Sequence, residues 1–503
     1  MKRKDNTILA KRKRNIDKRL RRNQACRQNL PVFAGDNLHF EMAERVRAVP
    51  CAGVAAIHHM VQRLGLDRNI NNAIRLLKQN KPYLDSDHVL NMTYNIMAGG
   101  VCLDDIELLR NDEMYLDSIG AQRIPDPTTA GDYLRRFQEQ DIAALMDAIN
   151  AIRPKLWDAR LSFQQREQAI IDMDGTLVPL GGKCKQGADM SYACGFSYHP
   201  SLVSLANTGE PLYLENRPGN RPSYEGVVKW VESSVKLVRQ SFRSVCLRGD
   251  TDFSLTENFD RWTDDDVDFI FGYDAMANMV KRAVSLDESS WQPLKRRALR
   301  DPKSTSRKRP RNARKAVVIK RECKNIETRG EDFAEFNYRP GKCDRDYRVI
   351  VLRKDLVESK GQQVLIENER YFFYITNISD KTATELIHFY RKRCNQENLI
   401  EQHKNGVHAM RMPTGDLVSN GAYMVIASLA WTLKAWYALH ARFAKTRAAL
   451  LKMEFRQFLN AIIRIPCQVV RTGRRLVLRI LNYTKWTRTF LSTNRSIREL
   501  CFP

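Results

Sequence analysis

The 503-residue sequence predicts a mixed α/β protein, with an all-helical N-terminal region ahead of a sheet-bearing core that carries a β-rich insertion. Three observations lead there. From Arg45 to about Trp157 apolar residues recur three and four apart, the period of amphipathic helices. The pattern then changes to short apolar runs bounded by turn residues, which is the mark of strands, with helical stretches between them. A hydrophobic content of 43% over this length is enough for two or more domains with real cores.

Residues 1–22 carry eleven Lys and Arg against Asp5 and Asp17, and are expected to form a flexible arm over a polyanion. Helices are expected around Val54–Leu64, Asn71–Leu77 and Asp87–Ala98. Asp87 and Asp126 or Thr128 serve as caps, and Gly99-Gly100 as a stop. Strands follow at Gln168–Val178, Ser201–Ala206 and Glu210–Asn216. Tyr224–Gln240 reads as a helix, Ser244–Arg248 as a strand, Leu255–Trp262 as a helix and Val267–Gly272 as a strand. A basic run, Lys295–Lys324, holds fourteen Lys and Arg against Asp301 and Glu322. Three more strands, Phe333–Tyr338, Tyr347–Leu352 and Tyr371–Thr376, complete the insertion. One helix is expected over Leu386–His408 and more helix over Val418–Leu451, before a basic hairpin at Val469–Ile480.

The net charge of +25 points to a polyanionic partner, nucleic acid first. The chain has no apolar run of about 18 residues and no signal-peptide core, which argues against a membrane. Its eleven cysteines form no Cys-x-x-Cys pair, which suits reduced, mostly buried thiols.

Tyr390, Arg393, Glu397 and Lys404 carry the chemistry. At about 100° per helical residue they fall within a stripe roughly 60° wide. One carboxylate then stands among two cations and a phenol, which suits a metal ion handling a phosphodiester. Asp172 and Asp174 share one face of the first strand, and Asp250 lies just past the end of Ser244–Arg248. Two Asp and one Glu converging would offer the oxygen ligands that Mg²⁺ prefers.

Asp172-Met-Asp174-Gly-Thr176 also resembles the first motif of haloacid dehalogenase-type phosphatases, with Asp172 as nucleophile and Asp174 as acid/base. That reading leaves the charge and the 390–404 stripe unexplained, and the acid expected about four residues after Asp250 is absent. A wider match covers nearly the whole chain. Asp174-Gly-Thr176, Arg217-Pro-Gly-Asn220, Leu247-Arg-Gly-Asp250-Thr-Asp-Phe253 and the Tyr390, Arg393, Glu397, Lys404 set resemble the DDE transposases of bacterial insertion sequences. Within the Tyr-Arg-Glu-Lys signature superfamily, the chain looks most like the insertion-sequence-1380 family.

The resemblance implies a ribonuclease H-like catalytic core. It implies Asp174, Asp250 and Glu397 as catalytic metal ligands, with Asp172 as the alternative first ligand. Tyr390, Arg393 and Lys404 would contact DNA. Two Mg²⁺ ions, replaceable by Mn²⁺, would serve cleavage at the element's terminal inverted repeats and joining of the freed 3′-hydroxyl to target DNA. A homodimer in the bacterial cytoplasm, at the nucleoid, would hold the two ends. The expected organisation is a basic arm (1–22), a helical DNA-binding domain (23–160), a core (161–284 and 376–440), a basic β-rich insertion (285–375) and a basic C-terminal region (441–503). The remaining alternative is a catalytically inactive DNA-binding protein, against which the three intact acids argue.

Overall fold

The computed structural model describes residues 3–26, 46–77, 82–181, 184–191, 195–295, 325–360, 363–473 and 475–499. Most of the basic run at 295–324 therefore lies outside the described residues.

The expected flexible arm is a helix, α1 (Arg3–Cys26). Leu9 is buried, and Arg12 Nη1 donates to the carbonyls of Ile480 and Asn482 at 2.8 and 3.0 Å, which ties α1 to the C-terminal hairpin. Then come α2 (Gly53–Leu64), α3 (Leu66–Ala73), α4 (Asp85–Ala98), α5 (Pro127–Leu134), α6 (Glu139–Asn150) and α7 (Arg153–Arg160). The stop after α4 is as the sequence predicts: Gly99 has φ 108°, open to glycine and costly for other residues. Asp126 caps α5 by accepting from Thr129 N at 2.9 Å. The helix expected over Asn71–Leu77 is displaced, because α3 ends at Ala73. Asn71 instead clamps the start of α4, exchanging 2.9 Å hydrogen bonds with the Ser86 side chain and backbone N–H.

A nine-stranded mixed sheet forms the core. Its labelled strands are β1 (Gln168–Gly175), β2 (Ser201–Leu205), β3 (Glu210–Glu215), β4 (Ser244–Gly249), β5 (Val267–Tyr273), β6 (Asn325–Tyr338), β7 (Tyr347–Lys360) and β8 (Gln363–Thr376). Gln292–Pro293 forms the outermost strand, and the order across the sheet continues β6-β7-β8-β5-β4-β1-β2-β3. β1 runs parallel to β4 and β4 to β5, whereas β2 is antiparallel to β1 and β3 to β2. The parallel step from β3 round to β4 is bridged by α8 (Val227–Val238), as parallel pairing requires a crossover. The three insertion strands join the same sheet through the pairing of β8 with β5.

The helical region and the sheet share one hydrophobic core. Thr93 on α4 donates to Ile426 O at 3.1 Å. Glu210 on β3 pairs with Arg153 and accepts from the indoles of Trp157 and Trp436, all buried. Among the described residues no helix is long and apolar enough to cross a membrane. The hairpin expected at Val469–Ile480 is present as β9 (Cys467–Thr472) and β10 (Arg475–Ile480).

Candidate active site

β1 carries Asp172 and Asp174 on one face, but the neighbouring strand treats them differently. In the parallel register Asp172 stands opposite Arg248 on β4, the last pair of that ladder. Arg248 Nε and Nη2 donate to the two oxygens of Asp172 at 2.7 and 2.8 Å, and Asp172 is 1% exposed. Asp174 lies beyond that pairing, opposite Leu202 of β2, so no β4 side chain covers it. Asp250 follows β4 directly and caps the short turn Thr251–Phe253 by accepting from Asp252 N at 3.1 Å. Gly249 allows that turn, since a Cβ there would lie 2.7 Å from Phe253 Cβ.

The helix expected over Leu386–His408 is broken into three pieces. α9 (Ala383–Arg391) opens on a capping box between Thr382 and Glu385. Lys392 N and Arg393 N then bond three residues back, to Phe389 O and Tyr390 O, which tightens the chain into a turn. α10 (Cys394–Glu401) follows, and Gln402–Gly406 forms a π-helical turn. The uniform rotation that placed four residues in one stripe therefore does not hold through this segment.

The break aims Arg393 at the strand ends. Its Nη1 lies 3.2 Å from Asp174 Oδ2 and 3.9 Å from Asp250 Oδ2. Burial pushes the Asp174 carboxyl up to about 6, against the pull of Arg393, and the Asp250 charge adds to the rise. Asp250 is raised as well, by burial, with Arg393 opposing. Burial works against the Arg393 cation, yet the charges of Asp174, Tyr390, Asp250 and Glu397 outweigh it and hold its pKa above the usual value. Tyr390 is half-buried, its ring 4.7 Å from that of Tyr374, and burial pushes its phenol up to about 12. Gly272 makes room for it, because a Cβ at that position would lie 2.9 Å from Tyr390 Oη.

A family model described as Transposase DDE domain group 1 matches residues 47–501. The chain belongs to the DDE transposases. It is thus an enzyme of metal-dependent DNA strand cleavage and transfer. Among solved structures it is similar to the cryo-EM structure of a piggyBac transposase synaptic complex with hairpin DNA. The identity is 10% and the TM-score 0.32, over 83% of this chain and 86% of that one. No curated protein matches.

In the transposase Glu397 is exposed on α10, close enough to Arg393 to act on its charge. Its neighbour Gln396 is buried and docks the helix on β2, accepting from Ser204 Oγ and donating to Leu202 O. Nothing in the sequence pattern marks Gln396 as special. Lys404 Nζ donates to Leu177 O at 3.0 Å, in the loop after β1, and burial lowers its pKa. Arg217 of the Arg-Pro-Gly-Asn motif binds the carbonyls of His199, Pro222, Ser223 and Glu225 at 2.7–3.1 Å. The segment it folds packs on Gly175, where a Cβ would lie 3.0 Å from His199 Nε2 and 3.1 Å from Ser223 Oγ.

The chemistry of these donors suits a hard divalent cation, which prefers carboxylate oxygen. Asp174 and Asp250 are carboxylates at adjacent strand ends, with a single guanidinium between them, and Glu397 stands on the next element. Two of the three acids are brought together. Among the described residues no group of three or more His, Cys, Asp or Glu side chains is placed to hold a metal ion. Asp172 has both its oxygens engaged by Arg248 and is closed to solvent, unlike Asp174.

Proposed function

We propose that the enzyme moves an insertion sequence of the insertion-sequence-1380-like type, in a bacterial cytoplasm and at the nucleoid. In this reading it binds the terminal inverted repeats, cleaves strands and joins the freed 3′-hydroxyl to target DNA. The single observation that carries the reading is Asp174 and Asp250 meeting on Arg393, one turn ahead of Glu397. The strand order β3-β2-β1-β4-β5, with β1, β4 and β5 parallel, supports a ribonuclease H-like core with an insertion after β5.

Asp174, Asp250 and Glu397 are the residues that would hold two Mg²⁺ ions. When bound, such a pair activates water or a 3′-hydroxyl and stabilises the leaving oxygen. The protein's own part is placement. Strand ends fix the two aspartates and Gln396 holds α10 against β2, while Tyr390, Arg393 and Lys404 would grip terminal phosphates. Arg393 can exchange a carboxylate for a phosphate, both of which suit its planar fork. The helical region at 23–160, the insertion at 285–375 and the segment after 441 would add DNA contacts around a core at 161–284 and 376–440. α1 would do the same from the N-terminal arm (1–22). Synapsis of two ends calls for a homodimer.

The test uses Mg²⁺, with Mn²⁺ as the substitute, and a DNA fragment bearing the element's end. Asp250→Ala and Glu397→Ala protein should bind the end and fail to cleave or join it. Normal joining by Glu397→Ala protein would refute the assignment.

A further inference from the structure

We infer that the buried Asp172–Arg248 pair is a positioning device for the candidate metal site, tying two of its walls together. The inference rests on the reading of Asp174, Asp250 and Glu397 given above.

Arg248 uses three of its donors at once. Nε and Nη2 hold Asp172 on β1, while Nη1 donates to Phe389 O at 2.7 Å. Its guanidinium also lies over the Phe389 ring, 4.8 Å from the centroid. Phe389 is in the last turn of α9, where carbonyls lack an intrahelical partner. The backbone break at Lys392–Arg393 leaves Phe389 O only the three-residue bond from Lys392 N at 3.2 Å. A cation there suits the negative end of the helix dipole. The pair thus caps α9 one residue before Tyr390 and four before Arg393.

The same side chains sit beside the other ligands. Asp172 is two residues before Asp174 on one strand face, and Arg248 is two residues before Asp250. One bidentate contact therefore sets the spacing of the two aspartate-bearing strands, and its third bond sets the helix break that aims Arg393 at them. Arg153–Glu210 provides the contrast: it is also a buried pair, but it joins α7 to β3, and no candidate metal ligand lies on either element.

Mn²⁺ alone is the probe, titrated into the full-length protein without DNA while free ion is followed by electron paramagnetic resonance. Asp172→Asn should weaken Mn²⁺ binding about 10- to 100-fold, the loss usual when a group that orients a metal ligand is removed. That variant leaves Arg248 as an uncompensated cation, so the Asp172→Leu/Arg248→Met double variant separates geometry from charge. It keeps the net charge of the pair at zero and avoids a stranded buried ion, and it should show a similar weakening. Glu210→Gln, which breaks the contrasting pair, should leave the Mn²⁺ midpoint within about twofold of the unsubstituted protein. Arg248→Lys should fall between, since an ammonium can cap the helix but cannot fork onto Asp172.

A double variant with an unchanged Mn²⁺ midpoint overturns the positioning role, as does a Glu210→Gln variant that loses as much affinity. Asp250→Asn tells the two levels apart. If it too binds Mn²⁺ normally, the metal-site reading fails and takes the inference with it. If Asp250→Asn loses binding while the double variant keeps it, only the positioning role fails.

Discussion

Replacing Asp174 by Asn should make the metal-free protein more stable at neutral and alkaline pH. Asp174 is 13% exposed, and burial outweighs Arg393 in lifting its pKa from an ordinary 3.8 to about 6. The folded state then holds a proton on this group, between those two values, that the unfolded chain has already released. Stability therefore falls as pH rises through that window, and the deficit is complete above pH 6. A rise of this size corresponds to about 3 kcal/mol. Asn keeps the shape and cannot ionise, so it removes the deficit, while Arg393 retains Asp250 at 3.9 Å. Urea unfolding of both proteins without divalent metal would measure the effect. The variant's advantage should be larger at about pH 8 than at about pH 4 by 2–3 kcal/mol. Titrating groups that do not interact with Asp174 are common to the two proteins and cancel, whereas Asp250, whose charge adds to the Asp174 rise, is itself relieved by the substitution and works in the same direction. An advantage that does not change with pH, or that grows toward acid, would refute the claim that burial dominates at Asp174.

Other outcomes follow from single contacts. Gly272→Ala should displace Tyr390, whose hydroxyl would meet the new Cβ at 2.9 Å, costing about 1–3 kcal/mol in urea unfolding and lowering strand cleavage. Gln396→Ala strands Ser204 Oγ inside the protein and should cost about 1–3 kcal/mol, whereas Asn398→Ala, on the exposed side of α10, should stay within about 0.5 kcal/mol. Glu210→Gln should cost about 3–5 kcal/mol because Arg153 stays buried without its anion. Because helical region and sheet share one core, that loss should appear as a single shifted transition by both circular dichroism and tryptophan fluorescence, and two separate transitions would argue against the shared core.

Much of the fold was legible because strands and helices announce themselves locally. Apolar runs at Ser201–Leu205 and Val267–Tyr273 are strands in the structure, and Gly99 ends α4 as its position suggests. The insertion strands begin or end where the aromatic and β-branched residues put them, although β6, β7 and β8 each extend to 14 residues. The N-terminal arm was misread because charge density says nothing of a carbonyl 468 residues away that accepts from Arg12.

The candidate site divides along the same line. The sequence alone determined that Asp172 and Asp174 share a strand face and that Asp250 follows a strand, since a period of two and a turn signal are properties of adjacent residues. It could not choose between the first two acids. The parallel register of β1 with β4 gives them different surroundings, setting Arg248 opposite Asp172 and leaving Asp174 beyond the last pair. The sequence likewise singled out Tyr390, Arg393, Glu397 and Lys404 as candidates, but on the assumption of one uniform helix. Tertiary structure decided their geometry: Arg248 takes the Phe389 carbonyl, the helix breaks, and Arg393 turns onto Asp174 and Asp250. Lys404, past the π-helical turn, reaches the Leu177 carbonyl instead. Periodicity orients a side chain relative to its own element, and only packing decides which partner from a distant part of the chain meets it.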